Sequence, residues 1–330
     1  MNSASPLVSV IIPTYNRAGI ICETIDNVFQ QTYTNIEVIV IDDGSKDDTL
    51  ARLRSYGDRI RVISQANAGP APARNRGIEA SRGEIITFQD SDDLWKPTKL
   101  ERQVNLLART DASVPCCLCS AAMRVVNGKE FSSFDAAAIR FHEDEGLWLN
   151  VAEVLATRFV LFNQTVAIRR WAIEKTGMFD EGLKYLEDYD LPLRLAMEGP
   201  WAFIREPLVI YREATEGSFS KQAAKDPVVL KECEITIFER ALERAKGEKN
   251  SKVRRQLQAR LGIFRRRLRA TKLSSVDSPV SRAVGRIATG MESYREAAIR
   301  RSPWYPQPVT SRIDIGAAWP SELEPVVQAK

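Results

Sequence analysis

The chain has little histidine: one, His142, in 330 residues. One imidazole cannot build a multi-histidine metal centre. Cysteine is also sparse, with Cys22, Cys116, Cys117, Cys119 and Cys233 an odd and clustered set of five. That set excludes a regular disulfide framework. Cys116 and Cys119 have C-x-x-C spacing, but a structural zinc site wants four well-spaced ligands. The segment 114–119 reads instead as a buried strand carrying small thiols. No apolar run is long enough to span a bilayer. Met1 to Pro6 lacks the charged and apolar parts of a signal peptide, so a cytoplasmic protein is expected. The net charge of +4 is mild and does not indicate nucleic acid. After the first apolar run stands Pro13-Thr14-Tyr15-Asn16, not a glycine-rich phosphate loop. This argues against a sugar-1-phosphate nucleotidyltransferase.

What is present is a globular composition, 44% hydrophobic, sufficient for a real core. Strands are expected at 7–12, 36–41, 59–63 and 84–88, with helices at 18–31, 47–56 and 74–80 between them. This order argues for an α/β fold with a mostly parallel sheet and helices on both faces. Ligands in such sheets bind beyond the carboxyl ends of the strands. Three polar clusters fall there: Pro13-Thr14-Tyr15-Asn16, Asp42-Asp43-Gly44-Ser45 and Asp90-Ser91-Asp92-Asp93. Asp90 and Asp92, two apart, are expected to point the same way off a strand. They read either as an oxygen-only site for Mg²⁺ or Mn²⁺ or as a polar turn before a helix opened by Pro97. Further on, strands are expected near 117–126 and 159–168, and a helix over 191–197 with Pro192 in its first turn. Asp226-Pro227 marks another helix start. Residues 252–272 carry seven arginines on a helix whose Val253, Leu257, Leu261, Phe264 and Leu268 share a face. Such a helix either lies on an anionic membrane surface or packs on its own domain. Domains are expected at 1–222 and, as a basic helical extension with a proline-rich tail, at 223–330.

Taken as an ordered set, 8–16, 38–45, 67–77, 88–93, 177–181 and 187–191 resemble the family 2 glycosyltransferases of GT-A fold. The resemblance covers roughly residues 7–212 and implies an inverting transfer of a sugar from a nucleotide-diphosphate donor. UDP is the expected nucleotide, and the acceptor is expected to be a saccharide or, given the basic helix at the cytoplasmic membrane face, lipid-linked, in surface polysaccharide or glycolipid assembly. It implies that Asp92 is the principal metal ligand for Mn²⁺ or Mg²⁺, and that Asp90 reaches the ribose or a metal-bound water. Asp93 either helps the site electrostatically or caps the helix toward Lys99. The resemblance implies that Asp43 contacts the base and that Asp188 is the general base, and beside it Glu187 can orient acceptor hydroxyls. The residues add that Tyr15 can stack on a uracil-like ring and that Asp42 can accept from base or ribose. Pro13, Asn16 and Ser91 complete the donor set. Arg74 either approaches the base or diphosphate or is a surface helix residue. One departure stands out. Many relatives carry a histidine shortly after a Tyr-Arg pair, whereas Tyr211-Arg212 is followed here by Glu213-Ala214. Glu213, Glu216 or Lys221 are the candidates to compensate. A non-catalytic nucleotide-sugar binding module is the alternative function.

Overall fold

The computed structural model describes residues 5–126, 129–212, 223–246, 251–274 and 306–313. One sheet organises them. Its left half is β1 (Val8–Thr14), β2 (Ile36–Asp42), β3 (Arg61–Ser64) and β4 (Ile85–Phe88), paired in parallel in the order β4-β1-β2-β3. The right half is β6 (Cys116–Val126), β9 (Val166–Arg169) and β10 (Trp201–Ile210). β9 runs antiparallel between β4 and β6, and β10 lies parallel to β6. Thus β3, β2, β1, β4, β6 and β10 all point one way. Short pieces finish the sheet: β5 (Leu94–Trp95) and β8 (Glu145–Trp148) on β10, and β7 (Lys129–Ser132) on β6.

β1 shows why the pattern is near-continuous in apolar residues. Val8, Val10 and Ile12 face one core, and Ile11 faces the other. Both faces of the sheet are covered, so both sets of alternating side chains must be apolar. On the first face lies α1 (Ile21–Phe29), which buries Ile21, Ile25 and Val28 at helical spacing. α2 (Thr49–Arg54) packs there through Leu53, as does α4 (Lys99–Ala108) through Leu100, Val104 and Leu107. The other face takes α3 (Pro70–Ala80), α7 (Arg170–Thr176) and α8 (Glu187–Ala196), with the short α5 (Ser133–Ala136) and α6 (Val151–Leu155). α3 starts at Pro70, four residues before the expected Arg74, because proline suits the first helical position. Gly77 lets it sit close on β1, since a Cβ there would meet Ile11 Cγ2 at 2.3 Å.

α1 and α3 lie on opposite faces, so the chain reverses direction between β1 and β4. That topological switch opens a crevice at their carboxyl ends.

The strand expected over 159–168 is shorter. Asn163–Thr165 forms a 3₁₀ turn held by Thr165 Oγ1 donating to Leu161 and Phe162 carbonyls, and only 166–169 joins the sheet. α9 (Pro227–Arg244) starts at the expected Asp226-Pro227. α10 (Ser251–Ser274) buries Val253, Leu257, Leu261 and Phe264 in the same core cluster as Ile11 and Phe88. Its apolar face is therefore turned inward, and any membrane contact is left to the basic face. A final strand, β11 (Thr310–Ser311), pairs with β8 at the sheet's outer edge. The five cysteines are free thiols, and Cys116, Cys117 and Cys119 are buried on β6, as expected.

Candidate active site

The three polar clusters meet at the β1/β4 crevice. β1 and β2 end in register at Thr14 and Asp42, and the Asp43 N–H donates to the Thr14 carbonyl at 2.9 Å. Tyr15 and Asp43 thus begin neighbouring loops. Tyr15 is 39% exposed, an open ring at a strand end. Asn16 takes a left-handed conformation (φ +52°), and its Oδ1 accepts from the Lys46 N–H. Pro13 precedes it, half-buried. Asp42 is buried and accepts from the Ser45 N–H at 3.3 Å. Asp43 is buried too. Its carboxylate receives Gln65 Nε2, the Ala68 N–H and the Gly69 N–H at 2.8–2.9 Å. A carboxylate has about four lone-pair sites, so one can still accept a further donor. Gly44 (φ +78°) makes this turn possible, because a Cβ there would meet the Asn67 backbone nitrogen at 2.9 Å.

Asp90 and Asp92 do not lie on the strand. β4 ends at Phe88, and residues 90–93 form a turn closed by the Asp93 N–H donating to the Asp90 carbonyl. Ser91 is buried, its carbonyl held by Thr24 Oγ1 of α1 at 2.9 Å. Each acid meets a different group. Asp90 pairs with Arg74 at 2.8 Å, and Asp92 pairs with Arg17 at 3.4 Å. Burial and the charge of Asp90 push the Asp92 carboxyl up, while Arg17 pulls it down. Asp93 does not cap the helix toward Lys99. It is buried and accepts from the Arg212 N–H at 2.8 Å and from Gln164 Nε2, and burial with the nearby Asp90 charge raises it to about 8.

Arg74 is not a surface residue. It is buried, with Nη2 on Asp90 and Nη1 on Glu187, both at 2.8 Å. With its amide oxygen turned inward, Asn163 accepts from the same guanidinium at 3.1 Å. Two acids balance one buried cation here, the usual condition for burying charge at all.

α8 starts at Glu187, four residues before the expected Leu191. Leu186 before it is left-handed (φ +67°), an uncommon conformation for a branched side chain, and it aims the first turn at the crevice. Asp188 therefore stands in the first turn of the helix. Pro192 falls inside the helix, and having no N–H it leaves the Asp188 carbonyl without its usual partner. Burial, then the Glu187 charge, raises the Asp188 carboxyl to about 7 against the opposing pull of Arg74. Asp190 instead bonds Arg194, which donates to the carbonyls of 176–178.

Asp188, Glu187, Arg74 and Asp90 border a cavity of about 650 Å³ whose walls include Phe159, Leu161, Tyr185 and Tyr211. A group near neutrality beside such a cavity can take a proton from a bound hydroxyl. Asp90 and Asp92 supply an oxygen-only donor pair whose mutual repulsion a divalent cation would relieve, so they suit Mg²⁺ or Mn²⁺ completed by water and phosphate oxygens. Among the described residues no cluster of three or more His, Cys, Asp or Glu forms a metal site. His142 lines a separate cleft with Asp144 and Arg205. Glu213, Ala214, Glu216 and Lys221 lie outside the described residues.

Sequence reasoning missed Arg17, Asn163 and Gln164. Arg17 follows the Thr-Tyr-Asn cluster directly, a signal that was available. Asn163 and Gln164 reach the site only because β9 runs antiparallel, which brings its first residues to the same sheet edge.

Comparison with known proteins fits this geometry. Residues 9–171 match the family model of glycosyl transferase family 2. A Rickettsia typhi protein named as an uncharacterized glycosyltransferase is 36% identical over 208 residues, 63% of this chain and 64% of that protein. A putative teichuronic acid biosynthesis glycosyltransferase of Bacillus subtilis is 40% identical over 111 residues, 32% of this chain and 44% of its own. The alignments thus span less than two thirds of the length of these relatives. In fold, the chain resembles S. aureus TarS 1–349 in complex with UDP-GlcNAc, at TM-score 0.64 and 22% identity over 88% of this chain and 83% of that one. It also resembles a Pyrobaculum calidifontis mannosyltransferase in complex with GDP-Man and Mn²⁺, at TM-score 0.55 and 21% identity over 90% of this chain and 87% of that one.

Proposed function

We propose, from the match of residues 9–171 to the glycosyl transferase family 2 model, that the chain is a member of that family and transfers a sugar, with inversion, from a UDP-sugar to an acceptor hydroxyl. The observation that carries this is the placement of Asp188. Its carboxyl, raised to about 7, faces the 650 Å³ cavity, and a chain of contacts through Glu187 and Arg74 ties it to Asp90 on the donor side.

In this mechanism Asp43 and Tyr15 hold the base, by one N–H bond and by stacking. Pro13, Asn16 and Asp42 shape that loop pair, and Ser91 with Asp90 approaches the ribose. Asp92, with Asp90, would hold Mn²⁺ or Mg²⁺, which when bound neutralises charge on the leaving diphosphate. Glu187 orients acceptor hydroxyls. Asp188 takes the acceptor proton as the new C–O bond forms at the anomeric carbon. The bond to the diphosphate breaks on the opposite face, so configuration inverts. The TarS complexes with UDP-GlcNAc and UDP favour a UDP-sugar, and the teichuronic acid relative favours a saccharide acceptor in surface polysaccharide assembly.

No helix among the described residues is long and apolar enough to cross a membrane. Peripheral contact of 252–272 with a lipid surface at the cytoplasmic face is therefore proposed as electrostatic alone. Flotation with anionic vesicles should be lost at high salt. Flotation that is absent at low salt, or unchanged when Arg265, Arg266 and Arg267 are neutralised, removes this contact.

The direct test is donor turnover. UDP-sugars are incubated with the full chain and Mn²⁺, with and without saccharide acceptors, and UDP release is followed. Release that depends on Asp188 supports transfer. Tight UDP binding with no release from any donor points instead to a binding module.

A further inference from the structure

Two arginines stand at one corner of the crevice with donors unused. Arg17 follows the β1 loop and leads into α1, where its carbonyl accepts from the Ile20 and Ile21 N–H groups. Its Nη2 reaches Asp92 and its Nη1 the Asn16 carbonyl only at 3.4 Å, and among the described residues its buried Nε has no partner. Arg212 follows β10. Its N–H is fixed on Asp93, its Nη1 on Glu23 of α1 at 2.9 Å, and among the described residues its buried Nε and Nη2 have no partners. Thr24 of the same α1 turn holds the Ser91 carbonyl. So the first turn of α1, the 90–93 turn and the end of β10 are mutually bonded, and both guanidinium groups border that junction.

A buried donor without an acceptor is unfavourable, the more so when it is charged. Three such nitrogens, two of them on Arg212, lie beside one crevice, and they suit a polyanion because guanidinium matches phosphate oxygens in pairs. The long Arg17–Asp92 contact fits a temporary pairing, in which Arg17 serves as counter-ion to a carboxylate that has another use.

We propose that Arg17 and Arg212 clamp the diphosphate of the nucleotide-sugar donor, with Arg17 moving from Asp92 to the phosphates as the donor binds. This rests on the donor assignment above and adds residues to it. Guanidinium groups before α1 and after β10 then supply positive charge at the diphosphate. The fixed backbone of Arg212 makes Asp93 the positioning residue for this clamp.

Calorimetric titration of the full chain with UDP and Mn²⁺, with GDP in parallel and uridine as the phosphate-free control, tests the clamp. Arg17→Ala and Arg212→Ala should each weaken UDP by roughly ten- to hundredfold while uridine changes by less than about twofold. Mn²⁺ alone, followed by electron paramagnetic resonance, should bind Arg17→Ala more tightly than the wild type, because Asp92 loses its competing cation. Arg17→Lys should recover part of the UDP affinity. The clamp is overturned if both alanine variants keep wild-type UDP affinity, if uridine weakens by the same factor, or if Mn²⁺ binding is unaltered in Arg17→Ala. A wild type that binds neither UDP nor GDP would remove the donor assignment itself, and the clamp with it.

Discussion

Arg74 of α3 holds Glu187 of α8 in a buried ion pair at 2.8 Å, across 113 residues of chain. The pair places the first turn of α8, and with it Asp188, beside the β1/β4 crevice. Removing one partner of such a pair strands the other charge in the interior. Arg74→Leu is expected to cost about 3–5 kcal/mol of stability, read as a lower urea midpoint. Replacing Arg74 and Glu187 together by leucine should cost less than the single change.

Asp188→Asn should remove general-base catalysis and lower kcat by roughly 10²–10⁴, while UDP affinity stays near wild type. Wild-type kcat/KM should rise with pH and level off above about 7, since Asp188 must be ionised to accept a proton. Because Arg74 holds that value down, Arg74→Leu protein that remains folded should show the rise at higher pH.

The same carboxyl sets a stability trend of opposite sense. Its folded pKa of about 7 lies above the ordinary value of 3.8, so the folded state binds the proton more tightly. Its favourable contribution is complete below the unfolded pKa and is lost as pH rises through 7. Asp188→Asn should therefore melt above wild type at pH 8, with the difference closing toward pH 5. A difference that grew on acidification would contradict this.

Tyr15 and Asp43 should separate binding from folding. Tyr15 is exposed, so Tyr15→Ala should weaken UDP by about 1 kcal/mol or more through lost stacking and leave Tm unchanged. Asp43→Ala leaves three donors on 65–69 without an acceptor, so it should lower both UDP affinity and stability, the latter by about 2–3 kcal/mol.

At the far edge, Asn150 fastens the 306–313 segment, donating to the Gln307 carbonyl and accepting from the Val309 N–H, each at 2.8 Å. Asn150→Ala should free β11 from β8 and expose this segment to limited proteolysis. The central sheet should resist the same protease, because its strands are paired on both sides.

Much of the fold was legible in the sequence because the relevant signals are local. The apolar runs of β1, β2 and β4, the helical spacing of α1 and the Asp226-Pro227 start each state their structure within a few residues. The early start of α8 was not legible. Pro192 read as a first-turn proline, whereas burial of Tyr189 in the core and the Arg74–Glu187 and Asp190–Arg194 pairs accompany a helix that begins at Glu187. Residues 252–272 allowed two dispositions on pattern alone. The decision came from α6 and α9, which supply the surface that α10 covers.

The sequence by itself determined where the polar clusters fall, since strand ends and turn chemistry are written in adjacent residues. It also determined that carboxylates, not imidazoles, dominate the candidate site. The tertiary structure alone decided which charges meet. Arg74 pairs with both Asp90 and Glu187, Asp92 meets Arg17, and Asp93 fixes Arg212 from 119 residues away. Such pairings depend on which strand ends the sheet order brings together, and spacing along the chain carries no record of that.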